Sequence, residues 1–350
     1  MILTLFIVIS AIEIIFGGWF DKNNFGAYFK EHRMKKVPYT IKYENKIYDY
    51  IYRRNFLGFR GPEVKTNDIK AVFIGGSTAD ERWLPDEFTI VGNLNKQLEK
   101  DNINLKIINA GIEGQSTVGY LVNFTHWFSK LENFNPEYFI FYTGINDMWR
   151  DKFDKFDYSD GIAKLVENNK FDYFIDNLKS KSIFIDLIRR AKYKSNVEKK
   201  SIYLDHDKGI KQYTNSKALS YGDTNDYNYL VYKDALKKID VKKLLEDEEK
   251  KIRFYLNNID QLVEYSKSYN AIPIFINQVM ANGAHEKSLL ALSIALMDHC
   301  VKKNYKCIDL ATNFKGKQNY WYDGIHTTPL GSEIISEKIY PKFKKIINDN

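Results

Sequence analysis

Cysteine is nearly absent from this chain: Cys300 and Cys307 are the only two among 350 residues. That count excludes the disulfide framework that holds small secreted domains together. The two thiols would pair in an oxidising space, and buried free thiols are the simpler expectation. Histidine is scarce as well. Six are scattered along the chain, with no H-E-x-x-H and no Cys/His cluster, so neither a metal centre nor a cofactor is expected. No internal repeat, low-complexity tract or Pro/Gly-rich linker divides the sequence. The formal net charge of +7 is modest for this length, and no basic stripe interleaved with stacking aromatics emerges. Zinc-finger, RNA-recognition and helix-turn-helix signatures are missing too, which excludes nucleic acid as the expected partner.

What is present is an ordinary globular balance, 44% apolar and 28% charged, over a length that can bury one large core or two modest ones. The first twenty residues, MILTLFIVISAIEIIFGGWF, stand apart. Their length matches the about 20 residues of a bilayer span, and their Ile, Leu, Val and Phe should outweigh Glu13. With no basic n-region and no small-x-small cleavage site, residues 1–20 are expected to be an uncleaved membrane-anchor helix. A buried or interfacial helix is the alternative. Residues 21–68, polar and aromatic-rich, are expected to form a juxtamembrane segment laid over the main domain, 69–350. Lys30, Arg33, Lys35 and Lys36 would keep that body in the cytoplasm by the positive-inside rule.

Five short apolar runs follow: IKAVFIG, LKIINAG, EYFIFYTG, AIPIFINQV and YKCIDLA. Between them lie segments with apolar residues at helical spacing, such as Ile90, Leu94 and Leu98. Buried strands alternating with amphipathic helices predict a parallel sheet covered on both faces. Before the fourth strand, EEKKIRFYLNNIDQLVEYSKSYN reads as the crossover helix, and roughly 151–246 as a helical insertion with polar loops. Within it SIFIDLIRRAKYKSNVEKK is apolar first and basic after, which fits a solvated helix face better than a contact with headgroups or an acidic substrate.

In an open parallel sheet, ligands bind beyond the carboxyl ends of the strands. The first strand ends in Gly75-Gly76-Ser77-Thr78, the second in NAGIEGQS with Gly111 and Gly114, and the third in Gly144-Ile145-Asn146-Asp147. After the fifth comes YDGIHTTPLG, carrying Asp323 and His326. A hydroxyl, a base with a carboxylate beside it, and backbone and amide donors are the parts of acyl transfer. Each has a plainer reading alone. Gly-Gly-Ser-Thr is a turn or N-cap, Asp323-Gly324 a turn, His326 a surface residue and Asn146-Asp147 a helix cap.

Taken in order, the four stretches resemble blocks I, II, III and V of the SGNH hydrolases, the GDSL esterases and lipases, here of a membrane-anchored type. The resemblance covers Ile69 to Asn146 and roughly Glu248 to Asn350. It implies a three-layer α/β/α sandwich around a five-stranded parallel sheet (flavodoxin-like), consistent with the strand count. It also implies Ser77 as nucleophile, His326 as general base and Asp323 as its orienter. The oxyanion hole would be the Ser77 and Gly114 backbone N–H groups and the Asn146 amide. Gly76 departs from the pattern, standing where many members have Asp, which puts subfamily and substrate in question more than chemistry.

The residue types suit those roles. A serine hydroxyl needs a base within reach, histidine titrates near neutrality, and a carboxylate on Nδ1 selects the tautomer that faces Nε2 to the serine. His32, His126, His206, His285 and His299 are expected to be structural or exposed. The resemblance implies a serine ester hydrolase removing an acyl or acetyl group from a small-molecule or glycan ester, such as a cell-envelope carbohydrate. An O-acyltransferase with the same triad and a non-catalytic assembly or binding protein are the alternatives. Related anchored members act outside the cytoplasm, against the basic residues after Phe20, so the side of the membrane stays open.

Overall fold

Strands buried on both faces need no alternation, and β3 (Ala71–Gly75) and β5 (Tyr138–Thr143) are buried at every position. The computed structural model describes residues 2–20, 35–150, 170–188, 191, 202–205, 211–214, 217–220, 232–281 and 286–349. With β4 (Ile107–Asn109), β9 (Ile272–Asn277) and β10 (Lys306–Ile308) these strands form a five-stranded sheet in the order β10-β9-β5-β3-β4. Every pairing in it is parallel. Phe139 and Phe141, two apart on β5 and so on one face, lie 4.9 and 6.3 Å from Phe124 of the helix Thr117–His126. Tyr138 points the other way, to Phe343 of the C-terminal helix Pro329–Asn348. Helices Thr117–His126, Glu249–Ser268 and Lys287–Lys303 pack together on the first face, and Ile90–Lys100 with Pro329–Asn348 on the second. The expected three-layer α/β/α arrangement is present, and the chain reverses its direction of travel across the sheet between β3 and β5. That reversal opens a crevice at their carboxyl ends.

The first twenty residues do not form a membrane span. Among the described residues no helix is long and apolar enough to cross a bilayer. Helix α1 (Ile2–Phe16) has 15 residues, so it is about 22 Å long against ~30 Å of hydrocarbon. Gly17-Gly18 ends it: the Gly17 N–H closes on Glu13 O at 2.8 Å and the Gly18 N–H turns to Lys181 O at 2.8 Å. Glu13, read from the sequence as a penalty within a span, instead accepts hydrogen bonds from Ser182 Oγ (2.5 Å) and the Ile183 N–H (3.1 Å). The transmembrane helix and the anchored localisation read from these residues are both overturned.

Two further expectations change. Cys300 and Cys307 form a disulfide, not a pair of free thiols. The helix Lys287–Lys303 ends at Asn304 in a left-handed conformation, and the tight return into β10 brings the two Cα atoms to 6.2 Å. Residues 36–53 form an antiparallel hairpin, β1 (Lys36–Tyr43) and β2 (Lys46–Arg53), through a two-residue turn at Glu44 and Asn45, both with positive φ. Strands β6 (Ile202–Asp205), β7 (Lys211–Thr214) and β8 (Lys217–Ser220) extend it into a second sheet, β2-β1-β6-β7-β8, with β1 parallel to β6. The insertion expected to be helical thus contributes strands as well as the helix Lys170–Lys181.

The hairpin is joined to the main domain by buried charge. Arg54, 2% exposed, directs Nη2 to Asp80 Oδ1 at 2.8 Å and to the Gly111 carbonyl, Nε to the Tyr52 hydroxyl and Nη1 to Gly58 O, the last two at 2.8 Å. Removing one partner of such a pair leaves an uncompensated buried charge, at a cost of roughly 3–5 kcal/mol. Arg54→Ala is therefore expected to lower unfolding free energy by about that much in a urea titration. Exposed Arg253→Ala, whose ion pair lies in water, should change it by under about 1 kcal/mol.

Candidate active site

Ser77 begins a single helical turn, α2 (Ser77–Asp80), directly after β3. As the first residue of a helix its backbone N–H has no intrahelical acceptor. The two glycines before it are required by crowding. A Cβ on Gly75 would come within 2.5 Å of the Ala79 Cβ. A Cβ on Gly76 would stand 2.2 Å from Asn146 Nδ2 and 3.0 Å from Gln115 O. Gly76 is thus the gap through which the third strand's asparagine approaches the serine.

The residues singled out at the strand ends come together. His326 Nε2 lies 2.8 Å from Ser77 Oγ, and His326 Nδ1 lies 2.8 Å from Asp323 Oδ2. Asp323 is buried, and its Oδ1 accepts the backbone N–H groups of Ile325 (2.8 Å) and His326 (2.6 Å), so the carboxylate folds the loop that carries the imidazole. Burial opposes ionisation of Asp323, but the charge and hydrogen bonds of His326 hold its pKa below the ordinary value. Burial likewise favours neutral His326, and the Asp323 charge outweighs it, so the imidazole pKa is raised. The ring is stacked on Tyr322 at 5.7 Å and flanked by Trp83 at 6.0 Å.

Asn146 Nδ2 donates to Gln115 O at 2.7 Å, which holds the amide against Gly76. Gln115 and Asn123 exchange reciprocal amide bonds of 3.0 Å, fixing the loop that carries Gly114, whose φ of 77° suits glycine. Asp147 caps a different helix from the one its position suggests. It accepts the Thr117 N–H (3.1 Å) and Oγ1 (2.5 Å) at the start of the helix Thr117–His126. Gly111, between the second strand and this loop, lies against α2: a Cβ there would meet Asp80 N at 2.4 Å. Of the other histidines, His299 is held by Asp260 at 2.7 Å and His126 by Thr125 at 2.7 Å. His32, His206 and His285 lie outside the described residues.

Three contributors were not read from the sequence. Glu81 is buried behind α2 and accepts Thr327 Oγ1 (3.0 Å), Ser332 Oγ (2.5 Å) and the Ile90 N–H (2.6 Å), tying the serine turn to the histidine loop. Burial pushes its pKa up to about 7 against those hydrogen bonds. Gln278 bridges Thr78 Oγ1 and the Ile145 N–H, both at 2.7 Å, and so joins the serine and asparagine turns. Its signal was a polar Asn277-Gln278 pair ending an apolar strand. Trp83 carried no signal beyond its nearness to Ser77.

The sequence matches no protein-family model and no curated protein. Among solved structures, a member of the lipolytic protein G-D-S-L family from Veillonella parvula is 11% identical, covering 79% of this chain and 98% of that one, with a TM-score of 0.41. The psychrotrophic esterase EstA from Pseudoalteromonas sp. is 14% identical over 80% of this chain and 99% of that one, TM-score 0.41. An acetyl xylan esterase is 13% identical over 78% and 98%, TM-score 0.38. At these identities and scores the likeness assigns no activity.

The charge balance at His326 is open to direct measurement. Its imidazole should titrate above the ordinary histidine range by NMR, and Asp323→Asn should bring that titration down because the raising charge is gone. A raised folded pKa means that this group's stabilisation is complete below about pH 6.5 and is lost as pH rises through the folded value. The Asp323→Asn variant should therefore lack that part of the pH dependence of unfolding.

Proposed function

We propose that the protein is a serine ester hydrolase acting on a short acyl ester, with Ser77 as nucleophile. The single observation that carries this reading is the unbroken chain Ser77 Oγ, His326 Nε2, His326 Nδ1, Asp323 Oδ2, with 2.8 Å at each hydrogen bond. Neutral His326 takes the Ser77 proton as Oγ bonds to the acyl carbon, and the imidazolium is stabilised by ionised Asp323. The carbonyl oxygen becomes an oxyanion facing the Ser77 N–H, the Gly114 N–H and the second Asn146 N–H, neutral donors that favour developing charge over the ground state. His326 then returns its proton to the departing alcohol. Water attacks the acyl-enzyme, again deprotonated by His326, and releases the carboxylic acid.

Because the base acts only when neutral, activity should fall as pH drops through the raised pKa of His326. Ser77→Ala and His326→Ala should each remove most activity by comparable factors, since triad members act as a unit. Asn146→Ala should lower kcat by about 10²–10³ with the fold intact by circular dichroism. The deciding experiment is covalent labelling by a fluorophosphonate, read by intact mass, alongside p-nitrophenyl acetate hydrolysis. Label on wild type and none on Ser77→Ala is expected. Equal hydrolysis by wild type and Ser77→Ala would sink the assignment. Acyl transfer to an added sugar hydroxyl outrunning release of acid would turn the reading to an acyltransferase.

A further inference from the structure

Where the alcohol half of the substrate would lie is indicated by residues that the catalytic chain does not use. After α2 the sequence Asp80-Glu81-Arg82-Trp83 splits by direction. Asp80 and Glu81 are buried, whereas Arg82 keeps 22% of its side chain exposed and Trp83 is half-buried beside His326. The indole is fixed in place, since its N–H donates to the Tyr39 hydroxyl and its ring lies 5.9 Å from that of Tyr322, tilted 51° to it. Arg82 is fixed from behind by Asp80 at 3.5 Å and by the Tyr50 hydroxyl on its carbonyl. In front, its Nη2 meets Glu113 Oε2 at 2.5 Å. Glu113 is half exposed, immediately precedes Gly114, and its charge acts on His326.

The rim of the site therefore offers a fixed indole and a rigid pair of opposite charges carrying both donors and acceptors. Three ligand classes fit it poorly. An alkyl or aryl alcohol would cover the ion pair without replacing its water, which is unfavourable because the charges lose hydration and gain no partner. An anionic group meets Glu113, and a cationic one meets Arg82. A pyranose or furanose ring satisfies both halves, with a C–H face for the indole and hydroxyls that donate to Glu113 and accept from Arg82.

We propose that Trp83, Arg82 and Glu113 form a subsite for a neutral sugar ring bearing the ester that Ser77 cleaves. The proposal rests on the hydrolase reading above and adds the class of the leaving alcohol. The test compares kcat/KM for a panel of O-acetylated hexose and pentose oligosaccharides, for cyclohexyl acetate and for p-nitrophenyl acetate. At least one acetylated sugar should exceed cyclohexyl acetate, and Trp83→Ala should reduce the sugar to p-nitrophenyl acetate ratio by about 10-fold or more. Trp83→Phe should restore most of that ratio, and Glu113→Gln should lower it, mainly through KM. A panel in which no sugar exceeds cyclohexyl acetate, or a ratio unchanged in both Trp83→Ala and Glu113→Gln, overturns the subsite while leaving the hydrolase intact. Failure of wild type on every ester, with no fluorophosphonate label, overturns the hydrolase itself.

Discussion

A carboxylate without solvent sits three residues beyond Ser77, and the surroundings of that serine are organised by how the charge is neutralised. Asp80 is buried, and burial alone would protonate it; Arg54, Arg82 and Arg60 together hold its pKa below the ordinary value. Two of those arginines belong to the chain before the main sheet, so neutralising Asp80 draws the β1–β2 hairpin and its exit loop against α2. Glu81, the next residue, is equally buried but is met by hydroxyls and a backbone N–H, and its pKa moves up. Adjacent acids thus have opposite tendencies, one locking a neighbour by charge and the other by neutral hydrogen bonds. Between them they fix the turn that carries the serine to the loop that carries the histidine.

Steric economy at Gly76 is the second constraint. Strand ends that bring a hydroxyl and an amide to one point must let backbone approach backbone, and a methyl group at residue 76 would collide with Asn146. Gln115 and Gln278 hold the two sides of that gap by hydrogen bonds to Asn146 and to Thr78 and Ile145. The site is built on rigid strand termini supported by buried amides, an arrangement suited to aligning reacting groups.

What could be read beforehand follows from locality. Apolar runs such as VFIG and YFIFYT declare buried parallel strands, and Ser77, Asn146, Asp323 and His326, each with a plainer reading alone, gained meaning from following successive strands in order. The hairpin was not legible, because pairing Tyr39 with Ile202 depends on chain separated by more than a hundred residues and on strands of four residues, too short to show a period. Arg54 gave no sign of its partner for the same reason. The apolar start was misjudged because a hydropathy window counts Gly17 and Gly18 as neutral, whereas in the folded chain they stop a helix. The cysteine pair depended on a left-handed turn at Asn304, which a spacing of seven residues does not reveal.

The arginine that reaches across from the hairpin has a consequence for where the protein can be divided. Sequence blocks alone would place the start of an autonomous unit at Ile69, ahead of the first parallel strand. A fragment cut there would keep every group of the Ser77–His326–Asp323 chain and lose Arg54, Arg60 and the Tyr52 hydroxyl, exposing a carboxylate-bearing hollow behind α2. A piece that keeps these partners of Asp80 must include the β1–β2 hairpin and its exit loop, so boundaries drawn from motif content and from buried contacts need not coincide.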